Sequence, residues 1–209
     1  MTLFTKRFYI FTLILGTLTP VSYAKNELNY VEVGGGATIM ALMENVSTEA
    51  SASAAPSIRL VVGGELESKN LWFETMYQFN GQFEDTTTDV QGTQTTKQID
   101  KYHNHSVAIG IKATTNPLEK LSAYMRTGLG ANLVTKDISI TTSDTSDNSI
   151  VKTNDSEKES GNLLYFAIGA AFSFQHKTSI NLDLSTTSFK YDGKDVNDTA
   201  VFLTYKSFL

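Results

Sequence analysis

"LSAYMRTGLGANL", residues 121–133, holds one charged residue in a run of otherwise small and apolar ones. Arg126 sits between Met125 and Thr127, and a guanidinium stays charged in any protein. Taken as a block, the segment has no place for it. Taken every second residue, it separates cleanly. One face is Leu121, Ala123, Met125, Thr127, Leu129, Ala131 and Leu133; the other is Ser122, Tyr124, Arg126, Gly128, Gly130 and Asn132. Period-two separation of this kind is the pattern of a β-strand with a different environment on each side.

The same alternation recurs. Strands are expected at about 29–43, 57–66, 71–83, 103–113, 120–134, 162–175, 178–190 and 199–209. Val107, Ile109, Ile111 and Ala113 oppose Ser106, Ala108, Gly110 and Lys112. Leu71, Phe73, Thr75, Tyr77 and Phe79 oppose Trp72, Glu74, Met76, Gln78 and Asn80. Ile58, Leu60, Val62 and Leu66 stand against Arg59 and Glu65, and Ile180, Leu182 and Leu184 against Asn181, Asp183 and Ser185. Segment 163–174, "LLYFAIGAAFSF", is apolar on both faces; its length would also suit a buried helix, but its glycine and aromatic content favour a strand.

The connections alternate in length. Residues 67–70, 114–119 and 176–177 are short, whereas 44–56, 84–102, 135–161 and 191–198 are longer and polar. A soluble sandwich has no reason to gather its long loops at one end. A transmembrane barrel has short periplasmic turns and long extracellular loops, and eight is the smallest usual strand count. Strands of this length span a bilayer when tilted. The fold expected is therefore an all-β, eight-stranded antiparallel transmembrane barrel. A soluble lipocalin-like barrel is opposed by the charges near mid-strand on the second faces. It is also opposed by aromatics near strand ends on the first: Phe73, Phe79, Phe83, Phe172, Phe174 and Tyr205. Those suit interfacial girdles.

The beginning of the chain fits an exported protein. Lys6 and Arg7 precede an apolar run at 8–18, then Pro20 and Ser22-Tyr23-Ala24, the form of a secretory signal peptide. Residues 1–24 are expected to be cleaved and 25–209 to form the barrel. No cysteine is present, so neither lipid attachment nor disulfides follow. Loss of the leader moves the net charge from −5 to −7, which argues against a nucleic-acid partner.

With these features the sequence resembles the small outer-membrane barrels of Gram-negative bacteria, the OmpA-type and OmpX/Ail-type domains. The glycine-rich first strand "YVEVGGGATIMAL" and last strand "AVFLTYKSFL" add to the likeness. The resemblance implies location in the outer membrane, contact with its lipid and lipopolysaccharide, and a barrel without the peptidoglycan-binding domain of longer relatives. Family members usually end on an aromatic residue; here the end is Phe208-Leu209, with Phe208 facing in and Leu209, Tyr205, Leu203 and Val201 facing lipid.

Three constellations could carry function. The inward faces supply four acids, Glu32, Glu65, Glu74 and Asp183, and four bases, Arg59, Lys112, Arg126 and Lys206. Charges withdrawn from water must be paired, and an eight-stranded lumen is just wide enough for side chains to fill it. An ion-pair network centred on Arg126 is expected, with Glu74 its first partner and Asp183 its second, either as a closed polar core or as a gate. The histidines come next. The lipid A 3-O-deacylases, barrels of similar size, use a His-x-Ser pair on one face. His105-Ser106 here point to opposite faces, and His103 and His105 share a face but lack a third metal ligand. No catalytic, cofactor or metal site is assigned. Last, the loops: Ile138 and Ile140 alternate with polar residues, suggesting that 135–161 is a hairpin projecting into the medium, and 84–102 has a similar character with a turn near Gly92. Asp144, Asp147, Asp155 and Glu157 lack the glycine and spacing of a calcium loop. The expected function is non-catalytic: a monomeric barrel whose four loops mediate adhesion or surface interaction with a host-cell or other protein, or serve envelope integrity. A small gated pore, and then a lipid A-modifying enzyme, are the alternatives.

Overall fold

Eight antiparallel strands pair in chain order, and β1 pairs with β8 to close the ring. The strands are β1 Asn29–Leu42, β2 Ala54–Glu65, β3 Leu71–Gln91, β4 Gln94–Thr114, β5 Leu121–Asp144, β6 Ser149–Gln175, β7 Thr178–Tyr191 and β8 Lys194–Phe208. The structure, a computed structural model, describes residues 29–42, 54–66, 68, 70–115, 120–146, 149–175, 177–191 and 193–209. The leader at 1–24, most of the 44–56 loop, the core of the 114–119 turn, and Asp147 and His176 lie outside them.

Alternation decides which side chains point in. On β5, Ser122, Tyr124, Arg126, Asn132 and Val134 are buried, whereas Leu121, Met125 and Leu129 are exposed. On β6, Leu163, Tyr165, Ala167 and Ala171 face in and Leu164, Phe166, Ile168 and Phe172 face out, so "LLYFAIGAAFSF" is a strand, not a helix. The outer wall is thus a continuous apolar band, as a barrel with a polar interior and a hydrocarbon surround requires.

The hairpin expected at 135–161, and the similar one at 84–102 with its turn near Gly92, are present: β3, β4, β5 and β6 run far past the barrel wall with ladder pairing apart from their turns. Two expectations need correction. The strand bounds expected for these elements, 71–83, 103–113, 120–134 and 162–175, stop short of the observed ends. Likewise β8 begins at Lys194, inside the segment 191–198 taken as loop. Their threonines are β-branched and suit a pleated surface even without apolar neighbours. Gly92, with φ of 63°, turns β3 into β4, a left-handed conformation that other side chains rarely adopt. The second correction is Phe83, expected on the outer girdle but 4% exposed and packed inside. A β-bulge between Asn80 and Gln82 adds Gly81 to the strand, so every side chain beyond it changes face.

The lumen is filled in layers. At the short-turn end Tyr30, Trp72 and Phe208 form a cluster of edge-on and tilted rings, with centroids 5.3–5.9 Å apart. Tyr30 lies directly over inward-facing Gly63, where a Cβ would come within 2.5 Å of its ring. At the opposite end Phe83, Val134, Leu163, Phe189 and Val196 form an apolar cap, joined by Tyr102 and Tyr191 in an edge-on pair. The charges lie between.

Candidate functional site

The centre of the lumen is a charge cluster built by one inward residue from each of several strands. Arg59 of β2 donates from Nη1 to both oxygens of Asp183 of β7, at 2.9 and 2.8 Å, from Nη2 to Ser185 Oγ at 2.8 Å, and from Nε to Gln78 Oε1 at 3.2 Å. Its guanidinium lies 3.7 Å from the Phe202 ring centroid. All its donors therefore have a polar or aromatic partner, as burial demands. Arg126 of β5 donates from Nη2 to Glu32 Oε2 of β1 at 2.5 Å and approaches Asp183 at 3.4 Å. Tyr124 hydroxyl donates to Asp183 at 3.1 Å, Thr204 hydroxyl to Glu32 at 2.7 Å, and Tyr30 hydroxyl to Glu74.

Arg126 thus faces the lumen, but its nearest carboxylate is Glu32. Glu74, expected first, stands 3.4 Å from Nε, which makes no hydrogen bond to it. Asp183, expected second, is held mainly by Arg59. The register explains this: β5 lies two strands from β3 but four from β1, so a long side chain crossing the lumen reaches β1 more directly. Lys112 is buried at 3.9 Å from Glu32 and 4.0 Å from Glu74. Glu65 and Lys206 are buried near the short-turn end, and among the described residues neither forms an ion pair within 4 Å. Lys206 sits instead over the rings of Phe208, Tyr30 and Trp72.

Above the charge cluster is a polar layer that sequence reasoning missed. Asp198 of β8 is buried and accepts from Asn80 Nδ2 and Asn104 Nδ2, both at 2.8 Å. Gln78 donates to Asn80 Oδ1, and Thr38 contacts Ser57 at 2.6 Å. The alternation Val196, Asp198, Ala200, Phe202 carried the information, but the polar character of 191–198 masked it.

His103 and His105 lie on the outer face at the rim. His105 Nδ1 is 2.9 Å from Tyr77 hydroxyl and its ring stacks on Phe79; His103 Nε2 is 3.6 Å from Asp137. Ser106 is buried on the other face. Among the described residues no trio of His, Asp and Glu is placed to hold a metal.

Beyond the rim, β3–β6 form a free-standing four-stranded sheet. β2 leaves β3 at Asn80 and β7 leaves β6 at Leu163, so among the described residues 150–158 of β6 has a ladder partner on one side only. Its two faces differ in charge. The face continuing the outer wall bears Lys97, Lys101, Lys152 and Lys158 with Glu84 and Asp137; the face continuing the lumen bears Asp85, Asp89, Asp100, Asp155, Glu157 and Glu159 with Lys136. At its base Lys136 pairs with Asp100 at 2.9 Å. Partial burial opposes the charge on Lys136, but the hydrogen bonds to Asp100 and Tyr102 outweigh it and hold its pKa above the ordinary lysine range. At the tip Asp144 accepts from the Ser146 hydroxyl and backbone N–H at 2.7 and 2.8 Å, which lowers its pKa to about 2.

No curated protein sequence matches the chain. Among solved structures it is similar to Neisserial surface protein A, at 10% identity, with 87% of this chain and 97% of that chain covered and a TM-score of 0.56. It is also similar to Ail, the attachment invasion locus protein of Yersinia pestis, in complex with the heparin analogue sucrose octasulfate: 16% identity, 85% and 98% covered, TM-score 0.49. The N-terminal β-barrel domain of Pseudomonas aeruginosa OprF follows at 11% identity, 85% and 96% covered, TM-score 0.41. At these identities the likeness is one of fold. The family model "Outer membrane protein beta-barrel domain" matches residues 10–206. A closed eight-stranded ring with an apolar outer wall and an ion-paired interior agrees with that match, and the chain belongs to the outer membrane protein beta-barrel family.

Proposed function

We propose that this outer-membrane barrel is a non-catalytic surface-interaction protein, and that its protruding β3–β6 sheet binds a protein partner by strand addition along β6. One observation carries the reading: residues 150–158 expose an edge of the sheet with no ladder partner among the described residues, roughly 30 Å long at the rise of a β-strand. Such an edge offers a row of N–H and C=O groups to an incoming strand. Charge sets the partner's character. A strand beside β6 would meet Asp155, Glu157 and Glu159 on one face and Lys152 and Lys158 on the other. It would need basic residues at alternate positions and acidic ones between them.

Charge also disfavours a second copy of the chain. The two free edges, β3 with Asp85 and Asp89 and β6 with Asp155 and Glu157, carry acids on the same face. Edge-to-edge pairing of copies would crowd carboxylates together, so the barrel acts as a monomer whose outer wall meets outer-membrane lipid and lipopolysaccharide.

The experiment replaces 135–161 by a short turn. Binding to host cells is expected to fall to background while the variant keeps heat-modifiable migration on a gel, the mark of a folded barrel. Unchanged binding would overturn the proposal.

A further inference from the structure

Below the charge cluster, at the periplasmic mouth, the lumen holds a cavity of roughly 10 Å³ walled by Trp72, Lys112, Ser122, Ser173 and Lys206. Two ammonium groups border it, and neither is hydrogen-bonded to a carboxylate; Lys112 lies over the Tyr124 ring and Lys206 over the Tyr30 and Phe208 rings. Lys112 is 2% exposed and its Nζ has no hydrogen-bond acceptor. Glu32 and Glu74, at 3.9 and 4.0 Å, lie beyond hydrogen-bonding reach and are already engaged by Arg126, Thr204 and Tyr30. Lys206 is 5% exposed and has no carboxylate within 4 Å among the described residues. Both lysines approach the Tyr30 ring, at 5.3 and 4.7 Å from its centroid, which brings them to one place.

The charges around this place do not balance. Glu32, Glu74 and Asp183 face Arg59, Lys112, Arg126 and Lys206. Glu65 does not restore neutrality here: in its register row Trp72 stands between it and Lys112. Asp198 is committed to Asn80 and Asn104 in the layer above. With both lysines protonated, one positive charge is left over among these side chains, with aromatic faces rather than a carboxylate beside it.

We infer that the periplasmic vestibule binds one monatomic, monovalent anion of chloride size between the ammonium groups of Lys112 and Lys206. The volume matches about one water-sized sphere, which excludes phosphate, sulfate and carboxylates. The Ser122 and Ser173 hydroxyls supply further donors. Water would satisfy hydrogen bonds but would not balance the charge of two protonated lysines.

The test soaks crystals of the unmodified protein in bromide, a heavier analogue of chloride. An anomalous peak is expected in the vestibule, within hydrogen-bonding distance of Lys112 Nζ. In parallel, thermal unfolding is followed at fixed ionic strength as gluconate, too large to enter, is exchanged for chloride. A rise in Tm of about 5–10 °C is expected at 100 mM chloride, the scale of an anion bound with millimolar affinity. Lys112→Met and Lys206→Met should each abolish the rise. No bromide peak in the vestibule, or an equal rise in the Lys112→Met variant, would overturn the inference. If neither variant folds, the bromide experiment decides alone.

Discussion

Arg59 Nη1 and Asp183 Oδ2 meet at 2.8 Å across the lumen, joining β2 to β7 through the middle of the barrel. Asp183 also accepts from Tyr124 and lies 3.4 Å from Arg126, so one carboxylate answers two guanidinium groups. Its removal leaves both cations buried and short of charge. Asp183→Asn should cost about 3–5 kcal/mol, the range for breaking one side of a buried pair. Urea unfolding of protein refolded into vesicles measures this as a lower midpoint. The double variant Arg59→Met, Asp183→Leu should recover part of the loss, because it leaves no orphaned partner for Arg59; non-additivity of the two single changes gives their coupling.

The bulge at Gly81 makes a prediction about face. With Trp72 replaced by Phe, a single tryptophan at 79 or 83 reports where each side chain points. Phe79 belongs to the outer wall, whereas Phe83 lies in the inner apolar cap. Fluorescence of Phe79→Trp should be strongly quenched by lipids brominated on their acyl chains, and that of Phe83→Trp hardly at all. Deleting Gly81 should exchange the two results at position 83, because a one-residue slip moves the following side chains to the opposite face.

These two positions also show how far the sequence could be read. Strict alternation located the eight barrel strands and turned inward eight of the nine charged residues that are buried in the lumen, because burial on one side and lipid on the other impose period two. Phe83 escaped because a bulge is a one-residue interruption with no mark beyond an isolated glycine in a strand. Asp198 escaped, and the upper parts of β3–β6 were legible only through Ile138, Ile140 and the turn near Gly92, for a different reason. Above the membrane no hydrocarbon demands an apolar face, so alternation fades although the ladder continues. Partner choice within the lumen was least legible: which carboxylate Arg126 reaches depends on the geometry of ring closure, and that brought Glu32 of β1 nearer than Glu74 of β3.

Asp144 supports the β5–β6 turn only while ionised. Its hydrogen bonds from Ser146, with a further one from Gln94 at 3.1 Å, lower its pKa to about 2. A depressed pKa means the support is fully present above the ordinary aspartate range and is lost as pH falls toward 2. NMR titration of the tip should therefore show Asp144 ionising well below the ordinary aspartate range, with Ser146 amide protection lost over the same interval. Asp144→Ala should fray the tip at neutral pH and leave barrel stability unchanged.

Strand addition along β6 makes a stricter prediction than loss of the whole hairpin. Successive N–H groups of a strand point to opposite sides, one toward β5 and the next toward the free edge. Proline removes the N–H wherever it is placed. Of the neighbouring variants Asn154→Pro and Asp155→Pro, one must break a bond to β5 and the other must delete only an edge donor, and edge positions tolerate proline. One variant should therefore loosen the hairpin, seen as faster amide exchange in 149–160. Its neighbour should leave exchange on the β5 side unchanged yet weaken partner binding, by about tenfold if one hydrogen bond of about 1–1.5 kcal/mol is lost. Equal partner affinity in the neighbour that preserves the hairpin would mean that the partner reads the faces of the sheet and not its edge.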